Sequence, residues 1–138
     1  MCRFVIYALA LLALTACNLS TTPPTAIPTP DLPRVTFEAP VNGATILEGA
    51  ELTIDLVGTD ASQGIARIEL RVDDLPYRQG EPEGGVPVPT FRVLMNWQAQ
   101  GVGRHALTAV AYRPDGTQSD EVTILVEVLP RAALTPTP

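Results

Sequence analysis

The chain has 138 residues, 46% of them apolar and only 17% charged, with fifteen acidic residues against nine basic ones and a formal net charge of −6 at pH 7. That length leaves room for one domain of ordinary size. The acidic balance and the lack of a basic patch exclude nucleic-acid binding, which depends on neutralising phosphates, and they disfavour electrostatic docking to anionic headgroups.

The chain opens with Met1-Cys2-Arg3, a short segment carrying one positive charge, followed by the apolar run Phe4 to Leu14. Small residues Thr15 and Ala16 then precede Cys17. A positive start, a short apolar stretch and a small-residue exit describe a secretory signal peptide over residues 1–16. The run is too short to span a hydrocarbon core, which takes about 20 apolar residues. Leu14-Thr15-Ala16-Cys17 resembles the lipobox of bacterial lipoproteins. The resemblance implies cleavage before Cys17 and lipid on its sulfur, with the protein held at a cell membrane and facing outside the cytoplasm. Each buried acyl CH₂ contributes about 0.8 kcal/mol, so two or three chains on one cysteine make a lasting anchor. Cys2 would leave with the signal segment and Cys17 would be consumed by lipid, which leaves no pair for an internal disulfide. Without Arg3, eight arginines face fifteen acidic residues.

Residues 17–33 read as a linker. Positions 18–33 hold five prolines and four threonines with no apolar periodicity, so they cannot bury enough surface to offset the entropy of ordering. An extended polyproline geometry would reach roughly 50 Å over sixteen residues. The end of the chain, residues 131–138, repeats this Thr/Pro composition and reads as a disordered tail.

Residues 34–130 carry a period of two. Strands are expected at Val35 to Phe37, Glu51 to Val57, Ala66 to Val72, Phe91 to Trp97, Arg104 to Tyr112 and Val122 to Val128. In Ala66 to Asp73 the alternation is cleanest, with Ala66, Ile68, Leu70 and Val72 on one face and Arg67, Glu69, Arg71 and Asp73 on the other. Turn signals separate these runs, including Asn42-Gly43, Gly101-Val-Gly103 and Arg113-Pro-Asp-Gly116. Short alternating strands with regular turns predict an all-β, two-sheet sandwich. Clean alternation further predicts antiparallel sheets with one wet face each. No segment reads as an amphipathic helix.

Ala39-Pro-Val-Asn-Gly-Ala44, Gly64 to Asp73, Asn96-Trp97 and His105 to Ala111 running into Asp115-Gly116 resemble the framework of bacterial Ig-like domains. That resemblance implies about seven strands in a Greek-key sandwich and a non-catalytic spacer, adhesive or accessory role. Residues 76–90, rich in Pro and Gly, depart from the family pattern and leave the strand order there open.

Catalytic signals are nearly absent. His105 is the only histidine, no serine lies in a G-x-S-x-G context, and no H-E-x-x-H occurs. The expected place of His105 is packed at the start of its strand. Asp60, Asp73, Asp74, Asp115 and Asp120 lie at or near turns, where calcium would find oxygens, but turns favour Asp for backbone reasons alone. No cofactor or metal site is therefore assigned. Trp97 shares strand parity with Phe91, Val93 and Met95 and is expected in the core. Tyr77 and Arg78, in the divergent segment, are the candidate contacts for an envelope protein or glycan partner. The function expected is that of a lipid-anchored structural or adhesive module. The alternative is a carbohydrate- or ligand-binding accessory module, which would require a row of exposed aromatics. A hydrolase would require a clustered acid pair or His105 in a pocket.

Overall fold

The computed structural model describes residues 25–27 and 29–132. The expected signal peptide, the lipid site at Cys17, most of the linker and most of the tail lie outside the described residues.

Eight strands form two sheets: β1 (Arg34–Ala39), β2 (Ala44–Leu47), β3 (Glu51–Thr59), β4 (Arg67–Val72), β5 (Leu75–Gly80), β6 (Thr90–Gln98), β7 (Gly103–Tyr112) and β8 (Val122–Leu129). One sheet has the order β1-β3-β6 and the other β2-β8-β7-β4-β5. β4 lies beside β7, with β5 and β6 intervening in sequence, which gives the long return connection of a Greek key. The sandwich expected from the alternation is the fold observed. Its inner faces meet in a core of Ile54, Leu56, Ile68, Leu70, Leu107, Ala109, Val126 and Val128, all fully or almost fully buried. These are the residues that alternate along their strands.

Three particulars differ from the reading of the sequence. Among the described residues the strands number eight, against the expected figure of about seven. The additional pairing is parallel, β2 on β8, with Ala44 opposite Val126 and Leu47 opposite Leu129. After the cis Ala39–Pro40 peptide the chain passes from one sheet to the other. There Gly43 N–H donates to the Leu125 carbonyl (2.7 Å), and Leu125 N–H donates to Asn42 Oδ1 (2.8 Å). The Asn-Gly turn thus docks on β8, and the chain continues alongside it in the same direction.

The second difference is β5. Residues Leu75–Gly80 form the edge strand of the larger sheet, not a loop. Its burial pattern is almost wholly exposed, so it carries no apolar alternation, and Pro76 suits an edge, where no ladder bond is lost. Gly80 sits where a Cβ would lie 2.6 Å from Val93 Cγ2. Only a residue without a side chain lets β5 approach β6 this closely.

The third concerns the wet faces. Thr108 and Val110 point away from the core yet are buried, Val110 completely. β7 is flanked on both sides, and polar side chains roof it over. Arg71 reaches from β4 to Glu121 beside the start of β8 (2.7 Å) while also holding Glu69 (3.0 Å). Tyr112 Oη donates to Glu69 (3.2 Å), and the Arg67 guanidinium stacks 3.9 Å over the Tyr112 ring. Long stems covering apolar surface with their heads in water account for this second, outer layer.

Candidate functional site

Registers fix which loops share an end of the sandwich. Arg34 pairs with Thr59, Thr59 with Thr90 and Arg67 with Tyr112, so residues 31–33, 60–66, 81–89 and 113–121 cluster at one end, the N-terminal pole. Val72 pairs with Leu75, Leu47 with Leu129 and Glu51 with Gln98, so residues 48–50, 73–74, 99–103 and 130 form the opposite, C-terminal pole. The chain therefore enters at one end and leaves at the other.

At the N-terminal pole Arg113 is buried and grips Asp60 through two bonds, Nε to Oδ2 at 2.9 Å and Nη2 to Oδ1 at 2.8 Å. Gln63 N–H also donates to Asp60 (3.0 Å). The guanidinium bond holds the Asp60 carboxyl down to about 2, against burial, and the backbone donors of Gln63 and Ser62 assist. Arg113 reaches further to Asp31 (3.1 Å), and Pro33 beside it is fully buried. A guanidinium thus occupies the space between these two carboxylates. Asp115, at the same pole, spends its carboxylate on Thr117 N–H (2.9 Å) and Gln63 Nε2 (3.1 Å). Among the described residues no cluster of three or more metal-ligating side chains occurs.

The segment after β5 is stapled rather than loose. Ile65 and Val88 exchange backbone hydrogen bonds (2.8 and 3.2 Å), and Asp60 N–H donates to the Pro89 carbonyl (2.8 Å). Gly64, at φ +79°, lies so close that a Cβ there would sit 3.1 Å from the Val88 backbone. The tip from Glu83 to Val86 is exposed, while Pro82 is buried and Pro87 and Val88 are partly buried.

Tyr77 and Arg78 lie on β5, and with Glu69, Pro76 and Gln79 they line a shallow surface depression. Leu70 pairs with Arg78 and Arg71 with Pro76, so Tyr77 is the extra residue of a bulge. Bulges at sheet edges re-aim side chains, and here the phenol donates to the Asn96 carbonyl on β6 (3.0 Å). Tyr77 thus fastens one sheet to the other, the residue being 39% exposed and the Arg78 guanidinium 5.8 Å from its ring centre. The depression brings the two expected contact residues together.

Trp97 is buried in the core, as its parity indicated, with Met95 beside it in the strand. Among the described residues Tyr77 is the only strongly exposed aromatic, so no aromatic row offers a sugar platform. Asp55 points from β3 to the outer face, yet it is buried beneath Arg92, whose Nε lies 2.9 Å from Oδ1. Asp55 and Asp60 are thus both buried, and each is held by an arginine.

His105 packs at the start of β7, its side chain 17% exposed. Nδ1 lies 2.6 Å from Asp73 Oδ2, Nε2 lies 2.7 Å from the Gly101 carbonyl, and the ring sits 5.4 Å from Trp97. No nucleophile stands beside it, and both nitrogens are already engaged. Sequence spacing does not reveal this pair, since the partners are 32 positions apart.

The bacterial Ig domain model matches residues 33–109, and the chain belongs to that family. Among solved structures it is similar to the fibronectin(III)-like modules of Clostridium thermocellum CbhA, with 21% identity, TM-score 0.59, and 70% of this chain and 98% of that one covered. It is also similar to the SrpA adhesin of Streptococcus sanguinis, with 18% identity, TM-score 0.54, and 75% and 60% covered. A third likeness is to the endo-β-1,4-mannanase of Thermotoga petrophila, with 16% identity, TM-score 0.52, and 77% and 21% covered. At these identities the likeness is one of fold. No curated protein matches the chain.

Proposed function

We propose that this protein is a non-catalytic module of the bacterial cell envelope, held to a membrane by lipid on Cys17 and carried on a Thr/Pro tether. Its Ig-like sandwich serves as a structural or adhesive element. The observation that carries this reading is the in-line path of the chain, with Pro33 at one pole and Pro130 at the other. A ten-residue strand such as β7 spans about 33 Å, so the domain adds that length to whatever it connects. Domains of the same fold occur in an adhesin and in an endo-β-1,4-mannanase, which supports a display or spacing role. The depression at Tyr77 and Arg78 is the surface that an envelope protein or glycan partner would contact.

Two measurements test the reading. Cys17→Ser should move the protein from the membrane pellet to the soluble fraction and abolish incorporation of labelled palmitate, whereas unchanged fractionation would refute the anchor. In-cell crosslinking should capture a specific envelope component that is lost in a Tyr77→Phe, Arg78→Ala double variant. Capture unaffected by that variant would remove the contact from this depression.

A further inference from the structure

We propose that His105 and Asp73 form a proton-operated latch at the C-terminal pole, closed while the imidazole carries two protons and released when it loses one. The carboxylate of Asp73 and the carbonyl of Gly101 can only accept, and they stand 2.6 and 2.7 Å from the two ring nitrogens. A neutral imidazole has one N–H and one lone pair. In that form one of the two contacts opposes lone pair to lone pair. Only the imidazolium donates at both ends.

The two acceptors belong to different turns. Asp73 lies between β4 and β5, and Gly101 lies between β6 and β7. The doubly donating ring therefore ties a turn of one sheet to the crossing that leads from the other. Asp73 completes the latch with Oδ1, which accepts from Ala106 N–H (2.9 Å), while its own N–H donates to the Ala106 carbonyl (2.9 Å). Asp73 and Asp74 hold φ values of +51° and +66°, a left-handed region that is unfavourable for non-glycine residues. The turn is thus held in its conformation partly by these side-chain bonds.

The surroundings leave Asp73 as the charge that governs the ring. Trp97 faces it from β6, Val126 lies directly across on β8, and Val72 on β4 leads into Asp73. Asp74 follows in the turn and is exposed. Arg104 and its cross-strand partner Glu127 point to the opposite face of the sheet. The Asp73 bond and then the Gly101 carbonyl hold the imidazole above its ordinary 6.5, while burial works the other way. Burial pushes the Asp73 carboxyl up, but Ala106 N–H and His105 outweigh it and hold it below 3.8.

The signs follow by linkage. The histidine is raised in the folded state, so its contribution is complete below 6.5 and fades as pH climbs through the folded value. The aspartate is depressed, so its contribution is complete above 3.8 and fades as pH falls through its folded value. The latch is fully closed between these limits and opens on the alkaline side.

The chain offers its own probe, since Trp97 is its single tryptophan and His105 its single histidine. An imidazolium quenches a nearby indole more than a neutral imidazole does. Tryptophan fluorescence of the full chain, followed against pH, should rise with a midpoint above 6.5, and Asp73→Asn should bring that midpoint down. Thermal stability should fall from about pH 6 to about pH 8 in the wild type, and more steeply than in His105→Gln. A wild-type midpoint at or below 6.5, a midpoint unmoved in a cooperatively melting Asp73→Asn, or equal stability slopes would each overturn the latch. If Asp73→Asn fails to fold, the wild-type midpoint and the His105→Gln slope decide the matter.

Discussion

The two poles of the sandwich are each closed by a cation set between oxygens, but the cations are of different kinds. At the N-terminal pole the cation is Arg113, buried, bidentate on Asp60 and charged at every accessible pH. At the C-terminal pole it is His105, partly exposed and charged only when protonated. One architecture thus carries a permanent fastening at the end where the chain enters and a conditional one at the end where it leaves. The permanent fastening also reaches Asp31, so it includes the residues leading into β1.

The comparison breaks most severely at Asp60. Asp60→Ala leaves the buried guanidinium without its partner, and breaking a buried pair in this way costs about 3–5 kcal/mol. Chemical denaturation should show a lower midpoint with an unchanged slope. Next comes Gly64→Ala, which adds a Cβ 3.1 Å from the Val88 backbone at a φ of +79°. Thermal melting should show a loss of about 1–3 kcal/mol, confined to this pole in hydrogen exchange at Ile65 and Val88. Acid separates the poles without mutation. Asp60 is depressed to about 2, so its contribution is complete above 3.8, declines as pH falls below that value and is nearly gone once pH passes through about 2. An acid titration of wild type against Asp60→Asn should show the gap between them narrowing over that range.

Smaller effects sharpen the contrast. Asp74→Gly relieves a left-handed conformation at an exposed turn position. It should stabilise the domain by up to about 1 kcal/mol and weaken the dependence of the turn on the latch. Asp31→Asn removes only the exposed arm of the Arg113 network, its side chain being 73% exposed. The loss should stay under about 1 kcal/mol in the same denaturation assay.

Much of the fold was legible because burial on one face imposes a period of two. Ile68, Leu70, Val126 and Val128 alternate in sequence and are buried in the structure. β2 and β5 were not legible for the opposite reason. β2 is four residues long, and β5 buries almost nothing, so neither leaves an apolar signature. β7 misled in a third way. Ala106 to Ala111 is almost continuously apolar, which shows burial on both faces, whereas the alternation of its neighbours suggested a wet exterior. For the candidate site, placing Trp97 in the core followed from parity alone. The partners of His105 and Arg113 did not, since Asp73 and Asp60 lie 32 and 53 positions away. Only the folded topology brings such pairs together.

The parallel seat of β2 on β8 bears on how the domain carries load. β2 follows β1, the first strand that the entering chain forms, and β8 is the last strand before the exit. A pull applied at both ends draws these two strands past one another along their common axis. The bonds from Ala44 through Leu47, and those of the Asn42-Gly43 turn to Leu125, then resist together in shear. An antiparallel hairpin pulled at its open ends would instead surrender its bonds one at a time. A short strand that buries little and looks dispensable at rest therefore stands in the path of tension between the two ends of the domain.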